Sequence, residues 1–225
     1  MRSPTVSSVM TEDVISIQPQ TAFKEIVELL TARRISAVPV VDGTGVPVGV
    51  VSEADLISKE EFDGGTDPMP LLNRAGRQRW RQSTGLTAAD VMNRNVLTIA
   101  ATETVAMAAR KLAKSGVRRL FVVDATGRLV GVVSRRDLLK VYLRSDEQLT
   151  HEIKANVLAG ALWIDEDLVD VSVVNGVVTL TGTLPRRSEV DMAMRLSQAQ
   201  PGVVGVVGDL RYEFDDLAAA GSGAL

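Results

Sequence analysis

Two heptapeptides, GVVSEAD from Gly49 to Asp55 and GVVSRRD from Gly131 to Asp137, carry Gly, Val, Val, Ser and Asp at the same places, 82 positions apart. The offset holds over a whole unit. Val9-Met10 falls on Val91-Met92, Val14 on Val96, Ile17 on Ile99, and VVDGTG at 40–45 on VVDATG at 122–127. A repeat of this kind constrains the fold strongly, because each copy is one supersecondary unit with an apolar face that needs covering. Two such units are expected to pack around a pseudo-two-fold axis.

Each copy reads as β-α-β-β-α. A short apolar strand comes first, Val14–Ile17 or Val96–Ile99. A helix follows, with Phe23, Ile26, Val27 and Leu30 at i, i+3, i+4 and i+7, one helical face. Val105, Ala108, Ala109 and Leu112 occupy the matching places. AVPVV or RLFVV is the next strand. Asp-Gly-Thr-Gly or Asp-Ala-Thr-Gly turns the chain, VGVV returns it, and a helix starts at Ser52 or Ser134.

Residues 58–88 join the copies and hold Gly-Gly, two prolines and a basic cluster, Arg74, Arg77, Arg79 and Arg81 around Trp80. They read as an extended connection with a short helix whose arginines form a solvated face. The last third has the order α-β-β-α-β. Ser145 and Gln148 resemble a capping box, and Leu149, Ile153 and Val157 form a stripe on the helix behind it. Asn175-Gly176 signals a two-residue type I′ turn, which sets Val173 opposite Val178 and Val171 opposite Leu180 on one face. A second helix is expected with Ser188 and Asp191 as its cap, then a strand through VVGVVGDLRYEF. The fold class is therefore α/β of the α+β kind.

Composition narrows function. The 225 residues are 45% hydrophobic and 24% charged, the mixture of a globular protein, and only 4% aromatic, so the core is aliphatic. A net charge of -3 argues against a protein built to bind nucleic acid, which needs a large basic surface. With no Cys and one His, His151, a zinc site is not expected. No apolar run approaches the ~18 residues of a membrane span, and the N-terminus does not read as a secretory signal, so a cytoplasmic protein is expected. No nucleophile, P-loop or paired-carboxylate spacing points to catalysis.

Ser52 and Asp55, like Ser134 and Asp137, have the spacing of a helix cap, with the acid in the first turn where the helix dipole favours it. The same residues suit a nucleoside. A carboxylate can accept from ribose hydroxyls, and helix N-termini and guanidinium groups favour phosphate. Only the second copy is basic beside its strand: Arg118 and Arg119 stand where the first has Ser36 and Ala37.

The copies resemble CBS domains, the modules named after cystathionine β-synthase. The likeness is carried by VMTEDVISI and VMNRNVLTI, and by RISAVPVVDGTGVPVGVVSEADL and GVRRLFVVDATGRLVGVVSRRDL. It implies a first CBS domain over 1–62, a linker with a basic helix over 63–85 and a second CBS domain over 86–144. The segment 147–215 resembles a BON domain in its NGVVTLTGTL hairpin and PGVVGVVGDL strand, leaving 216–225 as a disordered tail. The resemblance implies a non-catalytic sensor whose CBS pair binds AMP, ADP, ATP or S-adenosylmethionine. It implies that Ser52 and Asp55 mark one ribose site and Ser134 and Asp137 another, with Arg118 and Arg119 reaching phosphates and Ser36 and Ala37 leaving room for adenine. It also implies a homodimer through the CBS pairs and a phospholipid or protein partner for the BON domain. A CBS pair serving only as a dimerisation scaffold is the alternative. Ala100-Ala101 departs from the first copy, where Gln18-Pro19 stands.

Overall fold

Each copy of the repeat is finished by the other. The computed structural model describes residues 4–70 and 73–218. They divide into two compact units, one running Thr5–Asp137 and the other formed mainly by the chain from Leu138 onward. No helix among the described residues is long and apolar enough to cross a membrane.

In the unit Thr5–Asp137, the first copy builds α1 (Phe23–Arg33), β1 (Ala37–Val41), β2 (Pro47–Ser52) and α2 (Glu53–Glu61). The connection contributes α3 (Arg74–Ser83). The second copy adds α4 (Ala88–Val91), β3 (Thr98–Ala100), α5 (Val105–Ser115), β4 (Arg119–Val123), β5 (Leu129–Ser134) and α6 (Arg135–Leu138). β1 pairs antiparallel with β2, and β4 with β5, in the same register: Ala37 faces Ser52 as Arg119 faces Ser134. The turns match as well. Asp42 Oδ1 accepts from the Thr44 hydroxyl and the Thr44 and Val46 amides, and Asp124 Oδ1 from the Thr126 hydroxyl and the Thr126 and Arg128 amides. These bonds, the threonine hydroxyls first, hold both carboxyls below their ordinary value.

The first strand of each copy departs from expectation. In the second copy it is Thr98–Ala100 rather than Val96–Ile99, pairing parallel with β4. In the first copy Val14–Ile17 is reduced to one bridge, Ile17 to Val40. The physical reason is Pro39. Its counterpart Phe121 donates its amide to Leu97 O at 3.1 Å, whereas proline has no N–H to give to the equivalent carbonyl.

The exchange between copies is reciprocal. Thr11 and Val132 exchange backbone hydrogen bonds at 2.9 and 2.9 Å, and their equivalents Asn93 and Val50 do so at 2.9 and 3.0 Å. Val6 N donates to Glu103 O, and Ala88 N to Thr21 O. Ala88, Val91 and Met92 of the second copy are buried in the same core as Ile26, Val38 and Val51 of the first. The glycines of the two heptapeptides are part of this exchange. A Cβ on Gly49 would lie 2.3 Å from Met92 Sδ, and one on Gly131 would lie 2.6 Å from Met10 Sδ. Each methionine lies over the glycine of the opposite copy.

The helix faces are narrower than their spacing suggests. Ile26, Leu30, Val105, Ala108 and Leu112 are buried, but the equivalent residues Val27 and Ala109 are exposed.

The second unit is α7 (Asp146–Glu152) running into a π-helix (Ile153–Leu162), then β6 (Val169–Val174), β7 (Val177–Arg186), α8 (Arg187–Gln198) and β8 (Gly205–Phe214). The Ser145–Gln148 capping box forms, and Leu149, Ile153 and Val157 enter the core. Val173 pairs with Val178 and Val171 with Leu180. Asn175 and Gly176 both take positive φ, 52° and 75°, as a type I′ turn requires. The Asp146 carboxylate accepts from both of their amides. β6, β7 and β8, the last parallel to β7, form a three-stranded sheet with β7 central, and α8 connects β7 to β8. The cap read at Ser188 and Asp191 is corrected. α8 starts at Arg187, so Ser188 lies in its first turn, and its amide and hydroxyl donate to Asp216 instead. Asp216 lies within the stretch 216–225 expected as a tail, of which residues 219–225 lie outside the described residues.

Seating a methionine on a glycine leaves no room for a methyl group. Gly49→Ala is expected to cost about 1–3 kcal/mol in urea unfolding, as overpacking of a core does. Adding Met92→Ala makes the glycine substitution cheaper, a double-mutant coupling. Strict additivity of the two changes would contradict the reciprocal seat.

Candidate functional site

Ser52 closes β2 and caps α2, and its position makes it part of both a helix start and a cavity wall. Its amide and hydroxyl donate to Asp55 Oδ2 at 2.8 and 2.5 Å. The second copy repeats the device: the Ser134 amide and hydroxyl donate to Asp137 Oδ2 at 2.9 and 2.6 Å. Cap geometry therefore accounts for both pairs.

The cap of the first copy is also held by the connection. Asp55 Oδ1 accepts from Gln82 Nε2 at 3.0 Å, and the same nitrogen donates to Val91 O at 2.6 Å. Gln82 is 4% exposed, so the last turn of α3 fastens the connection to both copies. Sequence reading did not single out Gln82. It follows a run of arginines on a helix read as solvated, and no spacing marks a glutamine as buried.

A cavity of about 410 Å³ opens where the copies meet. From the first copy come Ser36, Ala37, Val50, Ser52, Glu53 and Ala54. From the second come Asn95, Leu97, Arg118, Arg119 and Phe121, with Gly116 and Val117 at the end of α5. Ser36 and Ala37 and their repeat equivalents Arg118 and Arg119 therefore line one space, not two. Arg119 Nη2 reaches Ser36 Oγ at 3.3 Å, directly across the seam. Asp55, Ser134 and Asp137 do not line this wall. Two guanidinium groups face a single carboxylate, Glu53, so the space favours an anion. Val50, Leu97 and Phe121 supply an apolar side for a planar ring, and the volume is that of a small-molecule site.

The CBS domain model matches residues 6–61 and 88–144, and the BON domain model matches 145–213. Among known proteins, the chain is 30% identical over 141 residues to MK0525 of Methanopyrus kandleri, covering 63% of this chain and 64% of that protein. It is 28% identical over 152 residues to the chloroplastic CBS domain-containing protein CBSX2 of Arabidopsis thaliana, again covering 62% of this chain and 64% of that protein. The chain thus spans a little under two thirds of the length of these relatives. The crystal structure of CBSX2 in complex with AMP matches with a TM-score of 0.50 and 29% identity, covering 62% of this chain and 96% of that one.

Removing the Gln82 amide leaves Asp55 Oδ1 and the Val91 carbonyl short of a donor. Gln82→Ala is expected to cost about 1–3 kcal/mol, the penalty for an unsatisfied buried partner, read as a lower urea midpoint. An unchanged midpoint would show that Gln82 does not tie the connection to the two copies.

Proposed function

Since the chain belongs to the CBS-domain family, as a tandem pair followed by a BON domain, we propose that it is a regulatory protein whose pair binds an adenosine nucleotide at the seam between its two copies. The observation that carries this reading is the convergence of Arg118 and Arg119 with Ser36, Ala37 and Ser52 on one cavity. In this reading the guanidinium groups take the phosphate. The adenine lies beside Ala37 and the apolar wall, and the ribose hydroxyls lie toward Ser52. Asp55 stands behind Ser52, accepting from its amide and hydroxyl, and so positions Ser52 toward the ribose. Ser134 and Asp137 mark the equivalent ribose position of a second site. The AMP complex of CBSX2 supports the ligand class. Arginine favours a phosphate over the sulfonium of S-adenosylmethionine, so AMP, ADP or ATP fits this cavity better.

Regulation follows from ownership of the wall. A ligand held by both copies stabilises the arrangement in which they stand together, and it shifts a conformational equilibrium only by its differential affinity for the two states. The BON domain is the module through which such a signal reaches a phospholipid or a protein partner.

Calorimetric titration of the full chain with AMP is the test. AMP is expected to bind, and Arg118→Ala with Arg119→Ala to weaken it about tenfold or more, since charge-assisted hydrogen bonds are worth about 1.5–3 kcal/mol. Adenosine, lacking the phosphate, loses far less. No AMP binding by the wild type, or equal losses for AMP and adenosine, would contradict the assignment.

A homodimer through the CBS pair is supported by an open groove of about 450 Å³ between α1 and α2, lined by Phe23, Val27, Leu30, Leu56 and Ile57 together with Glu53, Lys59 and Glu60. Ile57 is 62% exposed and Val27 39%, an apolar face that a second copy would cover. Light scattering is expected to give twice the 24.1 kDa chain mass, and Ile57→Glu to return it to the monomer. A wild-type monomer at micromolar concentration would remove the homodimer from this reading.

A further inference from the structure

Arg74, Arg79 and Arg81 of the connection are exposed, as a solvated helix face requires, but Arg74 and Arg81 also line a cleft. Arg74, Arg77 and Arg81 follow one another at steps of three and four, which places them along one side of α3. Those three arginines line a cleft of about 630 Å³ together with Arg94 from the first segment of the second copy. Four guanidinium groups from two separate stretches of chain therefore converge on one concave space. Arg79, which lies off this side of the helix, is neutralised by Glu61 at 3.1 Å. Among the described residues Arg74, Arg81 and Arg94 have no ion pair. The one carboxylate in the wall, Asp90, is engaged as a helix cap, accepting from the Thr87 hydroxyl and from the Thr87 and Leu86 amides.

Like charges gathered in a concavity repel one another, and a bound anion removes that cost. Guanidinium forks match phosphate oxygens two at a time, so several forks along one helix face suit a row of phosphates. The cleft is larger than one phosphate needs, and the chain's net charge of -3 argues against a nucleic-acid surface. We propose that this cleft is a second anion site, separate from the seam cavity, that takes condensed phosphate: a free pyrophosphate or triphosphate, or the triphosphate chain of a nucleotide. It adjoins the seam cavity through Asn95, which lines both. It also adjoins the Asp55 cap through Gln82.

The test is calorimetric titration of the full chain with sodium tripolyphosphate at fixed ionic strength, each variant being checked for an unchanged circular dichroism spectrum. Tripolyphosphate is expected to bind the wild type. Arg74→Ala with Arg81→Ala weakens it at least about tenfold, the loss of charge-assisted hydrogen bonds. Arg79→Ala, and Arg118→Ala with Arg119→Ala, change it by less than about threefold. The source is read from ATP. If ATP binding survives loss of Arg118 and Arg119 but not of Arg74 and Arg81, the cleft takes a nucleotide's phosphates. If tripolyphosphate alone behaves so, it takes the free anion. Three results overturn the proposal: no tripolyphosphate binding, binding lost with Arg118 and Arg119 but indifferent to Arg74 and Arg81, or an equal loss in Arg79→Ala, which marks diffuse surface charge.

Discussion

The backbone exchange between Thr11 and Val132, and between Asn93 and Val50, is the constraint on which the CBS pair depends. Neither copy can close its own sheet and core. The first segment of each supplies a bridge, a buried turn and a methionine to the other, and the methionine needs a glycine to rest on. The Gly of GVVS and the Met of VM are two halves of one contact, written twice. A pair locked in this way holds its strand ends face to face, and that is what makes a cavity with walls from both copies.

Symmetry builds the cavity and its loss gives the cavity a chemistry. Where the first copy has Ser36 and Ala37, the second has Arg118 and Arg119, and all four meet in one space. The small residues leave volume and the large ones bring charge. Pro39 against Phe121 is a second divergence. It costs the first copy a strand hydrogen bond and gives the second an aromatic wall. Gln82, in the connection rather than in either copy, donates both to Asp55 and to Val91 O. The two Ser-Asp caps are alike as local structure and unlike in what surrounds them.

Much of this was legible in the sequence. The offset gave the α-β-β-α order of both copies, the Asp-x-Thr-Gly turns and the Ser-Asp caps, because the turns and caps rest on contacts within a few residues; the first strand of the first copy, which pairs at a distance, is only a bridge. The Asn175-Gly176 turn fixed the register of Val171, Val173, Val178 and Leu180 for the same reason. What escaped were features set by contacts distant in sequence. Spacing could not show that Val27 and Ala109 face outward, that Ser188 would find Asp216, or that Gln82 would be buried. Arg118 and Arg119 stand out in the sequence as the basic counterparts of Ser36 and Ala37, but that all four share a wall follows only from the exchange of segments. The arginines of α3 are exposed as their spacing implies, but the sequence does not show that Arg94 lines the same cleft.

The central claim is that the exchange places one nucleotide across the seam, with its phosphate on the second copy and its nucleoside on the first. A crystal structure grown from AMP-saturated solution tests it most directly. The account predicts the phosphate within hydrogen-bond reach of the Arg118 and Arg119 guanidinium groups and the adenine beside Ala37. AMP bound with its phosphate away from both arginines, or a seam cavity left without AMP, would contradict it.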